Sequence, residues 1–312
     1  MRASVSIALA GAGIAFLVAT CGQDEAVAPP AIPFAPLTDP SLKDPDNPTK
    51  VFRVDFARVE EGFPLSRADL MKLTSKNLAL LSQEEIDQIY GRLTAGSIPD
   101  GIYEGNLFFA RGSSLPERLE EIVGGIKGRF VGSLVDSLEG LVRLTWQGKT
   151  FDREQRIART LVEDFAALRT LVDDPDTITT VAVPRRGLLR FVSPTNRVWV
   201  LFPAKLYCGQ SLIDGRRESV IIDYNYNDEI AGYRANPDGL LGRGGLALRD
   251  EIRQVRPGFY LGRAYVGHVF LLNFTLLNRE LAERETPGFA AGRETAEDCW
   301  AGEQIRKAGA QR

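Results

Sequence analysis

The apolar positions change period along the chain. Between residues 52 and 95 they recur at three and four. Ile86, Ile89, Tyr90 and Leu93 follow Ser82-Gln83-Glu84-Glu85, a serine with glutamate three residues on, which is the pattern of a helix capping box. Gly96 and Pro99 end that region. Residues 115–144 keep the helical period. Leu119, Ile122, Ile126, Phe130, Leu134 and Leu141 share one face, and Gly124, Gly128 and Gly132 line up on another. Such a glycine row suits either close approach of a neighbouring backbone or a membrane surface or lipid cavity. Ile157, Leu161, Phe165, Leu168 and Leu171 predict a further helix over 154–174, stopped by Asp173-Asp174-Pro175. From 178 the pattern shortens. Residues 178–183, 188–193, 198–203 and 219–226 are β-branched or aromatic runs broken by Pro184, Gly187 and Pro194. Phe259–Val266 and His268–Leu276, joined through Gly267, predict a hairpin.

One run stands apart. Residues 101–109 read GIYEGNLFF, and 258–262 read GFYLG, so Gly-x-Tyr-x-Gly occurs twice at the start of a predicted strand. Glycine inside a strand marks a bulge, a bend or a close approach, as a curved sheet requires. The order helices, strand, helices, strands predicts an α+β domain, with N-terminal and middle helices packed on a curved, mainly antiparallel sheet and a barrel as the alternative form. The first copy also resembles the Gly-x-Trp entry strand of calycin barrels, with Tyr103 in place of tryptophan. That resemblance implies a barrel wall.

The chain has 312 residues and a net charge of −3. An acidic balance excludes the basic surface that a nucleic-acid binder needs, so no nucleic-acid partner is expected. His268 is the single histidine, which excludes a multi-histidine metal site; no metal or cofactor is expected. Gly148-Lys149-Thr150 lacks the upstream glycine of a phosphate-binding loop, because that position is Arg143. Residues 242–247, GRGGLA, read as a loop. Residues 223–229 imitate the front of a calcium loop, but Asp228 and Arg234 occupy its glycine and glutamate positions. No Gly-x-Ser-x-Gly elbow occurs.

The first residues read as an address. Arg2 precedes an uncharged apolar stretch, and the next charge is Asp24, so residues 1–20 are expected to be a signal peptide. Leu17-Val18-Ala19-Thr20-Cys21 resembles the lipobox of bacterial lipoproteins, with threonine where glycine, alanine or serine is usual. The resemblance implies a lipidated Cys21. With Gly22 next, it also implies an exported protein, periplasmic or anchored to the outer membrane, whose membrane contact is an N-terminal lipid. Seven of the 17 prolines fall in residues 22–50, which makes 21–50 an anchor and extended tether. Residues 51–312 then form a single α+β domain: helix-rich over 51–175, strand-rich over 176–278, with a charged tail over 279–312. In an oxidising compartment Cys208 and Cys299 are expected to pair.

The densest patch of candidate chemistry is 249–265, RDEIRQVRPGFYLGRAY. Arg253, Arg256 and Arg263 interleave with Tyr260 and Tyr265. With Tyr103 they form the expected ligand site: arginines for an anionic head, aromatics for an apolar body. The function expected is binding or carriage of a lipid-like or other small hydrophobic ligand by an envelope lipoprotein. No catalytic residue is assigned. The alternatives are an envelope enzyme working through Asp223, Asp250 or Glu251 with Arg253 and tyrosines, and an envelope protein-interaction factor.

Overall fold

The computed structural model describes residues 27–37, 54–113, 145–164, 166–170, 172–184 and 195–302. Nine strands occur among them. They are β1 (Gly101–Phe108), β2 (Trp146–Asp152), β3 (Ile157–Glu163), β4 (Thr180–Pro184), β5 (Thr195–Gln210), β6 (Glu218–Asp223), β7 (Leu248–Arg256), β8 (Phe259–Val266) and β9 (Val269–Leu277). The order is β3-β2-β1-β9-β8-β7-β6-β5-β4, and β3 also pairs with β5. Eight strands therefore close into an antiparallel barrel, and β4 lies against the first part of β5 outside the ring. Closure removes the sheet edges.

The two Gly-x-Tyr-x-Gly copies explain how the ring closes. Gly101 and Gly258 both have positive φ, 81° and 74°, and turn the chain into β1 and β8. Tyr103 and Tyr260 both point inward, with ring centroids 5.7 Å apart at 70°. The second glycine of each copy lies beneath a ring. A Cβ on Gly105 would meet Trp146 at 2.1 Å, and one on Gly262 would meet Phe274 at 2.2 Å. The interior of an eight-stranded barrel is narrow, filled by side chains or by one small ligand, so large rings require small residues on the facing wall.

One end of the barrel is plugged. Ala95 and Ile98 pack into the interior cluster together with Cys299. The plug is laced by backbone N–H groups of Gly96 and Ile98, which donate to Glu297 and Asp298 at 2.7 and 2.8 Å. Tyr260 Oη donates to the Ser97 carbonyl at 2.5 Å. The Cys208–Cys299 disulfide, Cα atoms 5.4 Å apart, ties this plug to β5. The opposite end carries the β8–β9 hairpin, whose turn holds Gly267 and an exposed His268.

Helices α1 (Phe56–Gly62), α2 (Arg67–Lys72), α3 (Ser75–Leu78) and α4 (Gln83–Gly91) precede the barrel. Ser66, Thr74 and Ser82 each form a full capping box, which explains how such short helices start. Leu73, Leu78, Ile86 and Ile89 pack on Val255, Phe259 and Leu261, the outward residues of β7 and β8. Residues 27–37 of the expected tether form neither helix nor strand, and they lie against these helices. Ala35 exchanges two hydrogen bonds with Gln88 at 2.9 and 3.2 Å, and Arg92 Nη1 donates to the Pro33 carbonyl at 2.9 Å. Two shorter helices follow β3 and β6: α5 (Ala166–Arg169) and α6 (Ala235–Asp238). Then α7 (Arg279–Ala290) crosses the plugged end.

The sheet takes the barrel form given as the alternative, and the α+β description holds in part, for the helices that cover part of its outer wall. One expectation is corrected. The helix predicted over 154–174 is β3 over Ile157–Glu163, with only Ala166–Arg169 helical. A spacing of four satisfies both periods, so Ile157 and Leu161 share a face in either geometry. The glycine row at 124, 128 and 132, the run at 188–193, and Cys21 lie outside the described residues.

The disulfide closes a loop with a sequence separation of 91. Replacing Cys208 and Cys299 with serine should lower unfolding free energy by about 2–5 kcal/mol. Urea denaturation of the variant against the parent protein checks this, and an unchanged midpoint would refute it.

Candidate functional site

A buried polar set occupies the barrel interior. The wall alternates, so Lys149 of β2 faces Thr160 of β3 and Tyr103 of β1, while Asp250 of β7 faces Ile222 and Ala264. Gly148 sets this register: φ is 138°, and a Cβ would meet the Tyr103 carbonyl at 2.0 Å. Lys149 Nζ lies 3.0 Å from Asp250 Oδ2, and each side chain is 4% exposed. Lys149 also donates to Tyr224 Oη, which meets Thr160 Oγ1 at 3.1 Å. The ammonium stands 6.0 Å from the Trp146 ring and 5.9 Å from the Phe274 ring.

Burial alone would pull the Lys149 pKa down, but Asp250 and Tyr224 outweigh it and hold the group above its ordinary range, as an ammonium. Burial pushes Asp250 up, and Lys149 opposes that rise. Burial likewise raises Tyr224, which keeps it a neutral phenol. Around this set, toward the hairpin end, Leu107, Trp146, Phe202, Leu248 and Leu271 are only half-buried while packing on the interior cluster.

The six expected ligand residues divide between the two faces of the wall. Tyr103 and Tyr260 are interior and fully buried. Arg253, Arg256, Arg263 and Tyr265 are on the outer face and have partners within the protein. Arg253 donates to Asp214 and Ser219 at 3.1 and 2.9 Å, and to the carbonyls of Tyr90 and Arg217. Arg256 caps the Leu70 and Leu73 carbonyls at 3.2 and 2.8 Å. Arg263 pairs with Asp87, receives the face of Phe270 at 4.3 Å, and donates to Tyr265 at 2.8 Å. These six therefore do not share one mouth. The arginines instead pin α4 and the 211–217 loop to the wall, helped by Arg216 and Arg217 on Glu60.

The alternative acids separate in the same way. Glu251 is outward and accepts from Ser211 and the Leu212 N–H at 2.6 and 2.8 Å. Asp223 accepts from Tyr207 and Asn225 at 2.7 and 2.9 Å. Asp250 alone of the three is interior. The carboxylates of the calcium-like stretch diverge to other partners, Asp228 to Arg243 and Glu229 to Lys205. Cys208, Glu218 and Cys299 gather as a metal set would, but both sulfurs are committed to the disulfide. Two pockets flank α7 outside the barrel, about 210 Å³ beside Gln254, Leu281 and Phe289 and about 550 Å³ among Asp100, Arg153, Asn278 and Arg284.

Lys149, Thr160 and Tyr224 were absent from the expected site. The available signal was Trp146-Gln147-Gly148-Lys149-Thr150-Phe151, a β-prone run with a lysine and a phenylalanine two apart. No protein family, curated protein or solved structure matches this chain.

Breaking a buried pair strands a charge, whereas replacing both partners with apolar residues does not. Lys149→Met should destabilise by about 3–5 kcal/mol, and Lys149→Met/Asp250→Leu should recover most of that loss, as read by urea denaturation. Equal losses in both variants would refute the pairing. Asp214 gives a separate acid dependence. Burial raises its pKa, but Arg216 and Arg253 overcome this and leave it below 3.8. Its stabilisation is complete above 3.8 and is lost as pH falls through the lowered value. Asp214→Asn should therefore flatten the acid limb of stability against pH; an unaltered limb would contradict the ion network.

Proposed function

We propose that this is a cell-envelope protein that holds a small, mainly apolar ligand within the hairpin end of its barrel. It is exported by residues 1–20 and held at the membrane by a lipid on Cys21. The observation that carries the reading is the buried Lys149–Asp250–Tyr224–Thr160 set in an interior whose apolar cluster also carries half-buried side chains. A barrel filled for stability alone gains little from a buried ion pair, because apolar replacement is often neutral or stabilising. Polar groups that converge in an apolar site instead orient a ligand. The polar lining of the larger outside pocket suits such a ligand less well. Export agrees with a disulfide that staples the plug.

A catalytic reading has one observation on its side. Asp250 and Tyr224 share Lys149 inside the barrel, an acid and a hydroxyl held at one cation. Among the acids considered, Asp250 is the one that such a reading must use.

Native mass spectrometry of the protein purified from the periplasm, compared with the denatured protein, tests the proposal. The expected result is a retained apolar mass that is released on denaturation. A bare protein that also takes up no added long-chain alcohol, ketone or acid would overturn it.

A further inference from the structure

We infer that the buried head of the ligand is an uncharged hydrogen-bond acceptor, a ketone, ester or alcohol oxygen, and not a carboxylate. This rests on the barrel being the ligand site. Among the described residues, Lys149 and Asp250 are the charged groups that face the interior around this site, and they cancel. The site therefore has no net positive charge to offer an acid.

The donor count points the same way. An ammonium has three N–H donors and no acceptor. One goes to Asp250 at 3.0 Å and one to Tyr224 Oη. The third has no partner among the described residues, and the ammonium is flanked by the rings of Trp146 and Phe274. Tyr224 is already engaged with Thr160. Lys149 thus keeps one N–H without a hydrogen-bond partner, beside the Trp146 and Phe274 rings. A neutral oxygen on a hydrocarbon body satisfies it without adding charge. A carboxylate would place a second anion beside Asp250 in a site of low dielectric, where like charges oppose one another's ionisation. The remaining ionisable interior groups are the neutral phenols of Tyr103 and Tyr260. Tyr260 is spent on the Ser97 carbonyl at the plugged end.

Three probes of matched chain length decide the matter: dodecanol, methyl decyl ketone and dodecanoate. They are measured by equilibrium dialysis on the full-length protein at about pH 8, where a carboxylic acid is ionised. The alcohol and ketone should bind at least about tenfold tighter than the acid. Asp250→Asn leaves Lys149 without its counter-charge, so in that variant dodecanoate should gain at least about tenfold and overtake the alcohol. Dodecanoate binding as tightly as the neutral probes to the unmodified protein would overturn the inference, whether or not the variant folds. So would an unchanged ranking in a folded Asp250→Asn protein. Failure of all three probes to bind would overturn the ligand-site reading itself, which separates the two claims.

Discussion

The structure depends on fitting large rings into a ring of eight strands. Such a barrel has a narrow interior, which side chains fill or which holds one small ligand. Tyr103, Phe151, Tyr260, Trp146 and Phe274 all lie inside, in edge-on pairs with centroids 5.4 to 5.8 Å apart. That density is possible only because Gly105 and Gly262 leave the wall bare where Trp146 and Phe274 lie. Closure of β1 against β9, and of β9 against β8, therefore rests on two glycines placed two residues after two tyrosines. The repeated pentapeptide is a packing device. Its first glycine turns the chain, its tyrosine fills the plugged half, and its second glycine makes room for a ring.

The polar interior is understood against that filling. Aromatic packing and the plug bury Ala95, Ile98, Tyr103 and Tyr260 in the plugged half. Toward the hairpin end the character changes: a lysine and an aspartate meet, and the apolar neighbours stay half-buried. A buried ion pair is weak evidence for stability, because desolvation offsets much of its attraction. Its placement at the transition between the sealed and less sealed halves is what gives it functional weight. Gly148 adds to this, since its positive φ and the close Tyr103 carbonyl fix the point where β2 turns Lys149 inward.

How far the sequence could be read depended on whether one period excluded the other. The capped helices before residue 95 were legible because Ser82 with Glu85 is the signature of a helix start. The β8–β9 hairpin was legible from two β-branched and aromatic runs meeting at Gly267. β3 was not, since Ile157 and Leu161 are four apart, a spacing that a helix and a strand share. β2 was obscured because Gly-Lys-Thr invited a test for phosphate binding, and its failure left the lysine unassigned. The disulfide was legible from the cysteine count together with the expectation of export, with no geometry needed. The division of the six expected ligand residues was illegible, because alternation assigns residues to two faces without saying which face is inside.

β7 shows why that last ambiguity is physical and not a failure of pattern. Along Leu248–Arg256 one face carries Asp250, Ile252 and Gln254 into the barrel, and the other carries Glu251, Arg253 and Val255 under the helices and the 211–217 loop. Both faces are buried, so the usual contrast of apolar inside and polar outside disappears. Charge then appears on both faces for different reasons. On the outer face Arg253 and Glu251 are spent on carbonyls, serines and Asp214, which replace water for the groups they bury. On the inner face Asp250 meets one lysine in apolar surroundings, and that lysine keeps a donor to spare. A patch that reads in sequence as one arginine-rich mouth is therefore two systems back to back. The outer one holds the coat to the barrel, and the chemistry available to a ligand belongs to the inner one.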